Sequence, residues 1–374
     1  MILFKYLWAI GFSKIMNITS EEFFKRQTTL SEIGNEGQQL LQKAKVLVIG
    51  CGGLGSPIAI YLATSGVGTL HLVDFDTVSV SNLHRQVFFK TEDVKKSKAE
   101  ILASEVKKRA PFTNVSFTDK AVTKNTVLDL ISNFDVIVDG TDSLSIKYLI
   151  NDACVLLKKP LIYGSLYKFD GYVATFNYQN EDGSFSCNLR DAFPKIATDI
   201  PNCEEAGTLN PIVGIIALLQ VNEVLKLITK TGILLVNQLL IYNALENSQF
   251  KMKLRKNDSI HIEEIFKNSD YLETYCETQD ASLLISASEF LKIETKNSTE
   301  VVSVLNHTDA LIPFKVHQKI PYRTFNAEDF NPDYDKKYVV ICKKGITSYD
   351  VTLKLKEKFP QLTIFSLVNG IDNY

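Results

Sequence analysis

The sequence predicts an α/β protein: a doubly wound, mostly parallel Rossmann-like sheet extended by antiparallel strands, followed by a smaller C-terminal α/β domain. Three observations carry that expectation. Val46-Leu47-Val48-Ile49 is an apolar run leading into Gly50-Cys51-Gly52-Gly53-Leu54-Gly55, the form of a buried strand turning tightly into a helix. Similar runs alternate with helical stretches as far as Tyr163, the rhythm of parallel strands joined by crossovers. The same rhythm returns, after a less regular region, from about residue 281.

Taken in order, residues 20–45 read as polar and helical, with Arg26-Gln27 near their start. After the glycine turn, an apolar helix runs to about Ser65, and Thr69-Leu70-His71-Leu72-Val73-Asp74 forms a strand closed by an acid. A Lys- and Glu-rich helix over 94–109, a strand at 115–118 and a helix at 127–131 follow. Val136-Ile137-Val138-Asp139 is a buried strand opening onto Gly140-Thr141-Asp142, followed by a helix at 144–157 and a strand at 161–163. Residues 171–176 alternate like an antiparallel strand, and a long irregular loop spans about 180–209. A helix at 211–227, a strand at 239–242 and an edge strand at 251–255 complete the first domain. In the second, strands are expected at 300–305, 338–341 and 362–365, with a helix from near Ser348 to Phe359. The expected boundaries are an appendage at 1–15, a first domain at 16–257, a linker at 258–280 and a second domain at 281–374.

Composition narrows the class. The chain of 374 residues is 45% hydrophobic and 22% charged, the balance of a soluble protein with room for two cores. A net charge of −2 and the lack of a long basic stripe argue against a nucleic-acid footprint. The six cysteines include no C-x-x-C pair, which fits a reducing, cytoplasmic compartment better than a disulfide framework. Residues 1–15 are apolar and aromatic, but lack a signal peptide's charged start and cleavage site and are too short to span a membrane. No membrane partner is expected.

The chemistry centres on the glycine turn. Gly50, Gly52 and Gly55 let a phosphate approach the backbone at a helix N-terminus, and Asp74 can accept from a ribose hydroxyl. These features alone leave a redox dinucleotide and ATP equally open. Downstream lie Asp76, Ser81-Asn82-Leu83-His84-Arg85-Gln86, Lys98 and Asp142. Acids at strand carboxyl ends beside two cations suit Mg-ATP better than a hydride carrier. Singly, Arg85 and Lys98 would be read as surface ion pairs; the whole set reads as a site. In the second domain Cys342 ends an apolar strand before Gly345 and a helix, where loop amides and Lys343 and Lys344 favour a thiolate.

With these residues in place, the chain resembles the ubiquitin-activating-like adenylating enzymes of the ThiF/MoeB/HesA type. The matching pieces are Arg26-Gln27, the Gly50–Gly55 turn, Asp74-Phe75-Asp76, residues 81–86, Lys98 and Thr141-Asp142. Cys203-Glu204-Glu205-Ala206-Gly207 and the helix start at 211–214 continue the match. The C-terminal domain resembles a rhodanese-like sulfurtransferase. The resemblance implies ATP-dependent adenylation of the C-terminal Gly-Gly of a ubiquitin-like sulfur-carrier protein. Molybdopterin biosynthesis is the expected pathway, since a fused sulfurtransferase belongs to that branch; the thiamine thiazole carrier is the alternative, and an NAD-dependent oxidoreductase a remote one.

By the same resemblance Gly50, Gly52, Gly53, Gly55, Asp74, Asp76, Ser81, Asn82 and Ser143 line the nucleotide site. Arg85 and Lys98 hold the triphosphate, and Asp142 places Mg²⁺. Arg26 reaches the phosphates of the other subunit, so a homodimer is implied. Cys203 matches the thioester or persulfide cysteine, although Glu204 and Glu205 oppose a thiolate there; Cys342 would carry a persulfide supplied by a cysteine-desulfurase-type donor. The chain also departs from the pattern. Ser143 replaces an asparagine, and the two C-x-x-C pairs of a zinc site are missing from 184–187 and 256–264, so no zinc is expected. The acidic-arginine signature of the sulfurtransferase is missing from 301–305, and Thr347 and lysines stand where its active loop commonly has arginines.

Overall fold

The computed structural model describes residues 18–194, 207–269, 271, 280–305, 312–342, 345–368, 370, 371 and 374. The expected appendage, Cys203, Lys343 and Lys344 lie outside them. The chain divides into two compact units, 1–273 and 274–374.

The first unit is built on an eight-stranded sheet in the order β3-β2-β1-β4-β5-β6-β7-β8. Its strands are β1 Lys45–Ile49, β2 Thr69–Val73, β3 Asn114–Thr118, β4 Val136–Asp139, β5 Leu161–Tyr167, β6 Asp170–Phe176, β7 Gln238–Asn243 and β8 Ser248–Lys253. Strands β1 to β5 pair in parallel, and β5 to β8 continue antiparallel. Alternation along β1 explains why that run is apolar throughout. Val46 and Val48 enter one core with the helix Gly55–Thr64, while Leu47 and Ile49 enter another with Leu144–Leu156. Ile49 stands opposite both Val73 and Asp139, so Gly50, Asp74 and Gly140 leave the sheet along one carboxyl edge. Chain order reverses between β1 and β4, where a crevice forms in open sheets of this kind.

The helix Asn210–Thr229 is apolar and long enough to cross a membrane by length and composition. It is a core helix: it packs on β5, β6 and the helix Gly55–Thr64. Two glycines make room for it. A Cβ at Gly164 would lie 2.2 Å from the Gln220 side chain, and one at Gly171 would lie 2.2 Å from Ile216.

Two departures from the sequence reading concern segments expected to be irregular. Within the expected linker, Ile262–Asn268 is helical, and Lys124 Nζ donates to the carbonyls of Lys267 and Ser269 at 2.9 and 3.0 Å. Phe266 and Tyr271 join the core beneath it, so the first unit continues past residue 257. Within the expected loop, Leu189–Ala192 is a single helical turn closed by a capping box between Asn188 and Asp191.

The second unit holds a parallel five-stranded sheet in the order β11-β10-β12-β13-β9. Its strands are β9 Leu284–Ile285, β10 Thr299–Ser303, β11 Gln318–Lys319, β12 Lys337–Ile341 and β13 Thr363–Leu367. The two-residue strands β9 and β11 are too short to leave a periodic signal in the sequence. The helix Ile346–Lys358 follows β12 through Gly345, which has φ +82°.

Candidate active site

The glycine turn is shaped by close approach of backbones. Gly50, with φ +91°, donates its N–H to the Val73 carbonyl at 2.8 Å. A Cβ there would lie 2.7 Å from the Gly140 carbonyl, and one at Gly55 would lie 1.6 Å from the Gly50 oxygen. Gly53 faces the start of the helix Asn210–Thr229: its Cβ would lie 2.7 Å from Val213 Cγ1 and 3.9 Å from Arg85. Side chains at these positions would collide with the Gly140 backbone, the Gly50 carbonyl and Val213 and force the turn apart.

Around the turn the acids and cations form a chain of contacts. Asp74 accepts from the Cys51 N–H at 2.6 Å and from the Asp76 N–H at 2.8 Å. Burial pushes its carboxyl up to about 6, opposed by Lys98 and reinforced by Asp76. Burial also pushes the Cys51 thiol up, so this cysteine is no nucleophile. Lys98 begins the helix Lys98–Arg109, is buried, and donates to Asp76 Oδ2 at 2.9 Å. Arg85 is half-buried, and its guanidinium meets the Ser81 carbonyl and His84 Nε2, both at 3.1 Å. Its charge is not spent on a carboxylate among the described residues.

The opposite lip is the end of β4. Asp139 is fully buried and accepts from the Thr141 N–H at 2.9 Å and the Thr141 hydroxyl at 2.7 Å. Lys147 neutralises Asp139 at 3.0 Å, donates to the Gly164 carbonyl at 2.6 Å and lies over the Tyr163 ring. This fastening sets where the next residue, Asp142, emerges. Asp142 is exposed, and Ser143 caps the helix Leu144–Leu156 by accepting from the Ile146 N–H at 3.5 Å.

The structure therefore gathers Gly50, Gly52, Gly53, Gly55, Asp74, Asp76, Arg85 and Lys98, with Asn82 buried beneath Arg85 and Gln86. Asp142 and Ser143 follow Gly140, which touches Gly50. Ser81 is exposed, its hydroxyl 2.9 Å from Ser79. Arg26 is not brought to the cradle of its own chain. Neighbouring Gln27 donates to the Ser65 carbonyl at 2.9 Å, at the far end of the helix Gly55–Thr64, about 15 Å from its start. Two residues that sequence reasoning left without a role support the site. Gln86 is buried with Nε2 3.3 Å from a Cβ position on Gly52, and its Oε1 has no partner among the described residues. Asp139 could have been noticed as an acid closing an apolar strand.

Cys342 belongs to the second unit. Its thiol is 3% exposed and lies 3.2 Å from Ser348 Oγ, which Ser366 contacts at 2.9 Å. Residues 343 and 344, which follow the thiol, lie outside the described residues.

The ThiF family pattern matches residues 24–261. The chain belongs to the ThiF family. The probable adenylyltransferase/sulfurtransferase MoeZ of Mycobacterium tuberculosis is 34% identical over 347 residues, covering 89% of this chain and 88% of that protein. An alignment of that length runs well into the second unit. The sulfur carrier protein adenylyltransferase of Thermus thermophilus is 39% identical over 246 residues, covering 65% of this chain and 91% of that protein. Among solved structures, Escherichia coli MccB bound to MccA-N7isoASN superposes with a TM-score of 0.57 at 24% identity. It covers 66% of this chain and 75% of that one, a likeness of fold over that length.

Proposed function

We propose that this adenylyltransferase of the ThiF family uses ATP to activate the C-terminal Gly-Gly carboxylate of a ubiquitin-like sulfur-carrier protein in molybdopterin biosynthesis. The observation that carries the reading is the convergence of the glycine cradle, Asp74, Arg85, the Lys98–Asp76 pair and exposed Asp142 around one switch point. A carrier carboxylate is already ionised, so its attack on the α-phosphate, with pyrophosphate leaving, needs no general base. It needs positioning and neutralisation of phosphate charge, which Arg85, Lys98 and the turn amides supply. Gln86 Oε1, without a partner among the described residues, and the tight turn that only glycines allow at Gly50 and Gly55 support a nucleotide site. Mg²⁺ binds commonly through one or two carboxylates plus substrate phosphates, and Asp142 is an exposed carboxylate at the crevice that would hold it.

Arg26 lies next to Gln27, which is bound at the end of the helix Gly55–Thr64 remote from the cradle, so Arg26 would serve phosphates from a second copy and the working form is a homodimer with shared sites. The second unit supplies a rhodanese-like sulfurtransferase. The sulfane sulfur of a Cys342 persulfide attacks the acyl adenylate and expels AMP, after a cysteine-desulfurase-type donor has loaded the cysteine. Incubating the protein with ATP and each candidate carrier, then weighing the carrier intact, tests the reading. Gain of AMP by the molybdopterin carrier is expected. Gain only by the thiamine carrier would move the pathway, and tight NAD binding with no adenylate would overturn the reaction.

A further inference from the structure

The family's zinc would fasten the stretch near residue 187 to the stretch near 256 through four thiolates, and this chain retains only Cys187 there. We infer that a hydrogen-bonded clasp centred on two carboxylates, Asp152 and Asp191, closes this junction without a metal. The inference rests on family membership and not on the proposed substrate.

Asp191 joins the two stretches directly. Its Oδ1 accepts from the Asn257 N–H at 2.8 Å, and its Oδ2 accepts from the Asn188 N–H at 2.8 Å and Nδ2 at 2.9 Å. Lys256 Nζ adds a bond to the Phe185 carbonyl at 3.1 Å. Asp152 joins them again from beneath. It is fully buried and accepts from Arg190 Nε at 2.8 Å and Nη2 at 2.6 Å, from Asn151 Nδ2 at 2.9 Å and from the Tyr271 hydroxyl at 2.5 Å. Arg190 follows the first missing thiolate pair, and Tyr271 follows the second. Both converge on one buried ion, as they would on a metal, but with the charges reversed: the anion is at the centre and the donors surround it.

The clasp extends along the chain. The Arg190 guanidinium lies 4.8 Å from the Tyr148 ring, and the Tyr148 hydroxyl donates to the Phe193 carbonyl at 2.8 Å. Cys187 is not available as a remnant ligand. It is buried, its N–H donates to Asn237 Oδ1 at 2.8 Å, and 184–187 and 256–264 offer no second cysteine beside it. A buried carboxylate saturated by a bidentate arginine and a phenol holds its donors firmly, because removing the arginine leaves a buried charge uncompensated and removing the phenol leaves one of its hydrogen bonds unmade.

The test uses the full-length protein. Zinc content should fall far below one per chain, and 1,10-phenanthroline should leave the thermal midpoint unmoved. Tyr271→Phe should lower the midpoint by a few degrees and Arg190→Met by on the order of 10 °C, with the double variant losing less than the sum. ATP affinity of Tyr271→Phe should match wild type, since Asp152 lies about 12 Å along its helix from the crevice. Should Arg190→Met fail to fold, Tyr271→Phe and the chelator arm carry the test. Stoichiometric zinc whose removal lowers the midpoint would overturn the inference, as would an unchanged midpoint in Tyr271→Phe.

Discussion

The crevice and the clasp use the same residue types to opposite ends. At the crevice, Asp76 pairs with Lys98 beside Asp74; at the clasp, Asp152 faces Arg190 and Tyr271. The difference is saturation. The Asp152 carboxylate is fully buried and filled by protein donors, whereas Asp142 is exposed, and among the described residues Arg85 meets a carbonyl and a histidine and Gln86 Oε1 has no partner. Charged groups in proteins mark a site when part of their bonding capacity is left for something else.

The largest blow to that contrast should come from Gly55→Ala. A Cβ 1.6 Å from the Gly50 oxygen forces the turn apart, and ATP–pyrophosphate exchange should fall by about 100-fold or more. Lys98→Ala removes a phosphate cation and strands Asp76, and exchange should fall about 100- to 1000-fold in kcat while the thermal midpoint moves little. Equal loss of stability and exchange would make Lys98 a structural residue like Arg190. Arg26→Ala should abolish carrier-dependent exchange while leaving the protein folded; mixing it with Lys98→Ala protomers should restore part of the activity if sites are shared.

A subtler test is pH. The folded value of Asp74 lies at about 6, above the ordinary carboxylate value, so the native protein holds its proton between about pH 4 and 6. Stability contributed by that proton is present at the lower pH and is lost as pH rises through 6. Nucleotide affinity should move the other way, because the ionised carboxylate accepts ribose hydroxyls better. ATP affinity measured from pH 5 to 7.5 should rise up to about tenfold per unit below 6 in wild type relative to Asp74→Asn. Parallel profiles for the two proteins would remove Asp74 from the ribose. The smallest effect should be that of Cys342→Ser, which leaves exchange within about twofold, since chemistry in another unit adds nothing to carboxylate activation. Mass spectrometry after exposure to a sulfur donor should show loss of its persulfide.

Much of this molecule is legible in one dimension. Apolar runs bounded by glycine specify buried parallel strands, because both faces of such a strand must be covered and its end must turn within a few residues. Hence the succession of β1 to β5 along the chain, the glycine turn and the candidate residues Asp74, Arg85 and Lys98 could be picked out from the chain alone. The helix at 262–268 could not, because its stability comes from Lys124 on its last carbonyls and from Phe266 and Tyr271 in a core built elsewhere. Nor could the roles of Asp139 and Asp152. Both are acids with a cation nearby in space, and only packing decides that Asp139 fastens the lip of a crevice while Asp152 is filled from every side. The sequence by itself supplied the candidate groups for a nucleotide. Tertiary structure decided which of its charges remain unsatisfied, since saturation depends on neighbours brought from residues as far apart as 152 and 271.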